Sequence, residues 1–270
     1  MKRKFNVLGH ATPRKDGIAK ITGQEKYASD ISVPHMLHGR VLRSPHPHAR
    51  IKSIDTSAAE QAGAICLTPA DVPKVRYNER IVTIPEHLLK DRYVLPQDKV
   101  RHRGEAVAAV AAESEAAAEK ALQLIQVEYE VLPAVFDPFE AMKPGAPQIY
   151  DTVVKAGQEI PVENNIAFTY SHEEGNVEEG FARSDAVVEG EYRTGGIYHV
   201  QLETRCAVCQ PEPNGGITLW ATTQSIHNVR QLIGEIFDIP LNKVNVKRVA
   251  MGGAFGSSIQ MNSVIPICVA

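Results

Sequence analysis

Three glycines in five residues, Gly252-Gly253-Ala254-Phe255-Gly256, follow directly on a β-branched run of Val244, Val246 and Val249, and this junction constrains the fold more than any other stretch. The run predicts a strand over Val244 to Ala250. The glycines predict a tight turn whose bare N–H groups can approach a ligand. Phe255 is the one bulky side chain in that turn. Upstream, Gly216 to Thr222 reads as a second strand, carrying Trp220 and followed by the carboxamide of Gln224. Between the two strands, Val229, Leu232, Ile233, Ile236 and Phe237 recur at helical spacing, so a helix is expected over Asn228 to Phe237. A crossover of this length is compatible with parallel strands. Gln224, the helix and the glycine turn together make a site suited to an anionic cofactor. The glycine spacing fits neither the GxGxxG fingerprint nor a P-loop, so dinucleotide and ATP binding are weakly supported.

The rest of the chain reads as a mixed α/β protein. Residues 1–15 form a basic arm. Gly17 and Gly23 bracket a short Ile/Lys alternation as turns, and Gly39 to Arg43 and Arg50 to Ile54 are strands around a proline-rich break. Ala64 to Leu67 is a third strand, and residues 74–98 are a polar, proline-marked excursion. The small-residue run Ala106 to Ala112 predicts a buried strand. Glu113 to Ile125 predicts a helix with a solvated acidic face, and Gln126 to Leu132 alternates as a strand. Residues 137–165 are rich in proline and glycine and read as a linker. Beyond them, Asn176 to Ala182 predicts a short helix, and Asp185 to Thr194 alternates as a strand.

Metal and redox motifs are weak. Cys206 and Cys209 lie three apart on an expected extended segment, which points them to opposite faces. With no second pair, buried thiols are expected. His46 and His48 alternate with prolines, and no third ligand lies near them in sequence. A formal net charge of −3 gives no basic footprint for nucleic acid. No apolar run approaches the ~18 residues of a membrane span, and no ~7–15-residue apolar core of a secretory signal follows the basic start. Four cysteines in 270 residues are no disulfide scaffold, so a cytoplasmic setting is expected.

Thr222-Thr223-Gln224, followed by Gly252-Gly253-Ala254-Phe255-Gly256, resembles the cofactor region of molybdopterin-binding large subunits in the xanthine oxidase and aldehyde oxidase family of molybdenum hydroxylases. Lys20, Gly23, Tyr27 and Asp30 resemble that family's "K-x-x-G-x-x-x-Y/F-x-x-D" element. Arg43-Ser44-Pro45 and His48-Ala49-Arg50-Ile51 resemble its "RSP-x-x-HARI" element, and His199 with Glu203 its "H-x-x-x-E" element, although Thr204 stands where proline is usual. For His199 a backbone hydrogen bond is the expected role.

The resemblance implies an α/β hammerhead-like first domain over 16–136, then, after the linker, the first part of a molybdopterin-binding domain over 166–270. It implies a chain that continues beyond residue 270. It also implies a molybdenum–molybdopterin cofactor, as Mo-MPT or its cytidine dinucleotide form, held by Gln224, Gly252, Gly253, Ala254, Phe255 and Gly256. Gln224 would donate to an oxygen ligand of the metal. The amides of Phe255 and Gly256 would lie against its ligands, and Phe255 would wall the substrate channel with Ile259 and Gln260. No catalytic residue is assigned in this stretch, because the family's general-base glutamate belongs to the C-terminal part. The implied partners are an iron–sulfur (2Fe–2S) subunit, an FAD subunit, the remainder of the molybdopterin subunit and a small-molecule substrate, an aldehyde or N-heterocycle hydroxylated with water as oxygen source.

The common family text is GGGFGGKE, whereas this chain reads Gly252-Gly253-Ala254-Phe255-Gly256-Ser257-Ser258-Ile259. Ile259 therefore stands where purine oxidisers place a carboxylate, and an apolar residue cannot hydrogen-bond a purine edge. The alternative function is a non-catalytic assembly or interaction module that keeps the fold without the cofactor.

Overall fold

The computed structural model describes residues 5–79 and 89–270. The chain forms two compact units, one of Leu37–Val200 and one that joins the described part of Met1–Met36 to Gln201–Val269. Helix α1 (Gly17–Ile21) opens the second of these. The Ile/Lys alternation is thus a helical turn, and Asp16 pairs with Arg14 and Lys20 at its start. In the packing, the described residues up to 36 cluster with 201–269.

The unit of 37–200 is built from short antiparallel sheets. Strands β1 (His38–Arg43) and β2 (Ala49–Asp55) flank the proline-rich break. Helix α2 (Ser57–Gln61) and β3 (Ile65–Leu67) follow, then β4 (Leu89–Lys90), β5 (Lys99–Val100) and β6 (Ala106–Ala112). β6 is the middle strand of β1-β6-β3, and β2 the middle strand of β5-β2-β7, where β7 is Gln126–Val131. The small-residue sequence of β6 is buried on both faces. Ala108, Val110 and Ala112 pack on Ala118 and Ala121 of α3 (Glu115–Leu122), whereas Val107 turns the other way onto Ala49 and Val100. Alanine lets a helix and a second sheet approach the same strand closely. The acidic face of α3 is not only solvated, because Arg40 on β1 reaches Glu115 at 2.9 Å and Glu119 at 3.2 Å.

Residues 137–165 are ordered rather than a linker. They hold α4 (Pro138–Ala141) and the hairpin β8 (Thr152–Lys155) and β9 (Gln158–Pro161), which pairs with β4. Asn165 closes the segment. Its Oδ1 accepts from Ile149 N–H at 2.8 Å, and its Nδ2 donates to Ala141 O and Pro147 O at 2.9 and 3.0 Å. Of the polar excursion 74–98, residues 80–88 lie outside the described residues. The remainder is partly core, with Val94 and Leu95 buried.

Helix α5 (Val177–Ala182) forms with Asn176 as its N-cap, as the sequence predicts. The strand expected over Asp185 to Thr194 does not form. Val187, Val188 and Tyr192 are exposed, and no described strand pairs with the segment. Alternation specifies which side chains share a face, but a strand also needs a neighbour to take its backbone hydrogen bonds.

In the other unit, β10 (Ala207–Pro211) runs antiparallel to β11 (Ile217–Ala221), and β11 runs parallel to β12 (Val244–Lys247). The crossover is α6 (Ile226–Phe237), which buries Val229, Leu232, Ile233 and Ile236. Beyond Lys247 the chain leaves the sheet, so β12 is shorter than Val244 to Ala250. Ala250 instead bridges Tyr27, donating its N–H to Lys26 O at 2.8 Å. Helix α7 (Val264–Val269) packs toward β10, with Cys268 Sγ 3.4 Å from Ala207 O. Burial pushes the Cys209 thiol up to about 12 and the Cys268 thiol up to about 11, so both stay protonated and inert at neutral pH. Among the described residues no helix is long and apolar enough to cross a membrane.

Candidate functional site

The parallel pair β11–β12 delivers two chain segments to one place. After β11 the chain runs through Thr222, Thr223 and Gln224 into α6, and after β12 it runs into the glycine turn. Gln224 N–H donates to Ser258 O at 2.9 Å, and Ser258 N–H donates back to Gln224 Oε1 at 3.3 Å. Thr223 Oγ1 adds a bond to the same Ser258 carbonyl at 3.3 Å. Thr222 and Ser258 are fully buried and Gln224 is exposed. The carbonyl end of the Gln224 side chain is thereby fixed on the loop. Its NH₂ end, which has no partner among the described residues, is left to donate outward.

The turn has the backbone that its composition predicts. Gly253 and Gly256 have φ of 97° and 93°, and Phe255 between them is held at 51°. A left-handed Phe is strained by roughly 1–3 kcal/mol and persists only where its surroundings impose it. Ser257 N–H closes onto Ala254 O at 2.9 Å and Ile259 N–H onto Gly256 O at 3.1 Å. The amides of Ala254, Phe255 and Gly256 have no acceptor among the described residues. Ala254 is buried, Phe255 and Ile259 are exposed, and Gln260 is half-buried. Gly252 has a different reason to be glycine. A Cβ there would lie 2.8 Å from Glu203 Cβ, closer than side chains pack.

Glu203 grips the start of the turn. Its Oε2 accepts from Gly252 N–H at 2.7 Å, its Oε1 accepts from Thr222 Oγ1 at 3.1 Å, and its own N–H donates to Gly252 O at 3.2 Å. Sequence reasoning noted Glu203 only beside His199 and missed this clamp. It missed Arg205 as well, whose guanidinium donates to Ser257 O at 3.0 Å, Ser257 Oγ at 2.7 Å and the Ser258 hydroxyl. The available signal was a carboxylate and a guanidinium two apart, next to the expected Cys206–Cys209 strand. Among the described residues His199 makes no backbone bond of the kind expected; it is exposed, with its ring edge-on to Tyr198.

Other motifs are accounted for structurally. His48 is buried with Nδ1 2.6 Å from Pro133 O, and His46 packs edge-on against Tyr129. The described residues contain no cluster of three His, Cys, Asp or Glu suited to a metal. A separate cleft of about 630 Å³, lined by Glu212, Ile217, Arg230, Lys243 and Val244 among others, includes no residue of the glycine turn.

Residues 22–133 match the domain family described as "Aldehyde oxidase and xanthine dehydrogenase, a/b hammerhead domain", and residues 159–270 match the "Molybdopterin cofactor-binding domain". The chain belongs to the xanthine dehydrogenase and aldehyde oxidase family. Over 251 residues it is 40% identical to a probable xanthine dehydrogenase subunit of Bacillus subtilis, covering 92% of this chain and 31% of that protein. It is 31% identical to the carbon monoxide dehydrogenase large chain of Afipia carboxidovorans, covering 95% of this chain and 32% of that one. The crystal structure of the aldehyde oxidoreductase from Desulfovibrio desulfuricans superposes with a TM-score of 0.83 at 26% identity, covering 97% of this chain and 29% of that one. The chain thus spans about a third of the length of these relatives. The mixed α/β fold expected from the sequence, a hammerhead-type domain followed by cofactor-binding domain, is the fold they share.

The turn's own groups fit the cofactor that this domain family is named for. Its donors are the uncommitted amides of Ala254, Phe255 and Gly256 and the free NH₂ of Gln224. Gly256 adds no side chain, and a Cβ there would meet nothing within 4 Å. Neutral donors of this kind suit an oxygen-rich anionic group, because they orient it without adding charge.

Proposed function

We propose that the chain is the N-terminal part of the molybdopterin-binding subunit of a molybdenum hydroxylase acting on an aldehyde or N-heterocycle, with water as the oxygen source. The observation that carries this is the reciprocal pairing of Gln224 with Ser258, which sets a carboxamide donor beside the free amides of the glycine turn. When bound there, the molybdenum–pterin group supplies the two-electron oxidation. Gln224 orients its polar ligands, Gly252, Gly253, Ala254, Phe255 and Gly256 form the adjoining wall, and Phe255 and Ile259 border the substrate path. The general base is a glutamate outside this sequence. Partners are an iron–sulfur subunit, an FAD subunit and the remainder of the molybdopterin subunit, in the cytoplasm. Molybdenum and pterin should co-purify with the full-length subunit in its complex at about one each per subunit. A complex that carries neither would end this reading in favour of an assembly module.

Substrate preference follows from Ile259. An apolar wall discriminates weakly, whereas a site built around a polar contact rejects molecules that lack it. Ile259 is 45% exposed, so a charged replacement leaves the fold intact. In the full-length enzyme, Ile259→Glu should raise the kcat/KM ratio of a purine over an aromatic aldehyde by roughly tenfold or more. The check is that ratio in wild type and variant. A wild type already strongly selective for xanthine, and unchanged by the substitution, would place recognition elsewhere.

A further inference from the structure

We propose that Arg205 is the positioning residue of the glycine turn, fixing Phe255 and the neighbouring amides through the hydroxyls of Ser257 and Ser258. The consequence for catalysis rests on the cofactor reading above; the coupling between Arg205 and the serines does not. Gln201, Glu203 and Arg205 are alternate residues of the segment leading into β10, and all three meet the turn, while Leu202 and Thr204 are exposed. Gln201 Oε1 accepts from Ser257 Oγ at 3.4 Å. Glu203 holds the start of the turn at Gly252, and Arg205 holds its end at Ser257 and Ser258. Between the two grips lie four residues, three of them with φ of 51° to 97°. A strained segment stays in one conformation only when both its ends are over-determined.

A guanidinium is a planar fork, and here one nitrogen meets the Ser258 hydroxyl while another meets the hydroxyl and carbonyl of Ser257. Arg205 makes no ion pair among the described residues, so its partners are these neutral oxygens alone. Ser258 is fully buried and its backbone is the one that pairs with Gln224, so the same residue transmits Arg205's position to the carboxamide. The amino group of lysine has neither the fork nor the reach to satisfy both serines at once.

The experiment uses the full-length holoenzyme with Arg205→Gln, Arg205→Lys, the Ser257→Ala/Ser258→Ala pair, and the three changes Arg205→Gln, Ser257→Ala and Ser258→Ala together. Arg205→Gln should lower kcat by roughly 10- to 100-fold with a smaller change in KM, the size of effect that an ångström-scale misplacement produces. Amides 253–259 should exchange with solvent faster, with exchange elsewhere unchanged. Arg205→Lys should behave like Arg205→Gln, and the combined variant should be no slower than Arg205→Gln alone. Multiplying losses in the combined variant, unaltered exchange of the turn, or full recovery with lysine would each overturn the proposal. If Arg205→Gln fails to fold, the serine pair must still speed exchange of the turn, and its failure to do so overturns the proposal equally. Absence of molybdenum from the wild-type complex would sink the cofactor reading and leave the exchange coupling standing. A loaded enzyme with an unaltered turn would sink Arg205 alone.

Discussion

Replacing Gln224 by alanine should lower turnover of the full-length enzyme on the order of 10²–10³-fold, the loss that follows removal of one preorganised donor at a reacting centre. The fold should survive. Gln224 is exposed, and its backbone N–H, which alanine keeps, makes the 2.9 Å bond to Ser258 O. The side chain contributes only the 3.3 Å acceptor for Ser258 N–H, a loss of about 1 kcal/mol. Gln224→Glu is the sharper variant. It retains an acceptor for Ser258 but replaces the outward NH₂ donor with a second acceptor oxygen and a negative charge. It should therefore cost at least as much turnover as alanine while leaving stability nearer the wild type. The measurements are kcat, molybdenum content and the unfolding transition, made on the same preparations. A Gln224→Ala enzyme, fully loaded with metal and turning over within about threefold of wild type, would remove Gln224 from the site.

The second large effect belongs to the platform beneath the site. Ile233 is fully buried on α6, the crossover helix packed against β12, and truncation to alanine should cost about 2–5 kcal/mol. That corresponds to a fall in the unfolding midpoint of roughly 4–20 °C for a chain of this size. Gln231, two residues earlier and exposed on the opposite side of the helix, is the control: its change to alanine should stay within about 0.5 kcal/mol. Equal effects at the two positions would mean that α6 does not pack as the structure has it. Because α6 joins Gln224 to β12, the Ile233→Ala protein should also retain molybdenum less well on warming than wild type does.

Ile233 and Gln231 were separable from sequence, since helical periodicity alone assigns one to the core and the other to water. Hydrophobic spacing likewise specified β6 with its small residues, the helix after it, and the strand–helix–strand unit that ends in glycines. The turn from Gly252 to Gly256 was legible as a glycine turn after a strand because glycine content and strand endings are local properties; the cofactor role expected of it and of Thr222 to Gln224 came from the family resemblance. The positive φ at Gly253 and Gly256 is the same local chemistry made visible. What pattern alone could not supply was pairing. Asp185 to Thr194 alternates as well as any strand in the chain and yet pairs with nothing among the described residues. The proline- and glycine-rich stretch 137–165 looks like a linker and is instead closed by the three hydrogen bonds of Asn165. Neither outcome is written in a window of ten residues, because hydrogen-bond partners distant in sequence decide both.

The grips on the turn show the same division. Sequence determined that residues 252–256 are flexible enough to approach a ligand and that Phe255 is the one bulky group there; Gln224, expected at a strand end, instead lies three residues past the end of β11 at Ala221, in the connection to α6. Only the tertiary structure decided that Glu203 and Arg205, some fifty residues earlier, hold the two ends of that flexible segment in one conformation. The physical reason is entropic. Glycine leaves many backbone states open, so the composition that permits the turn cannot select it, and the selection falls to charged side chains brought across from a distant part of the chain.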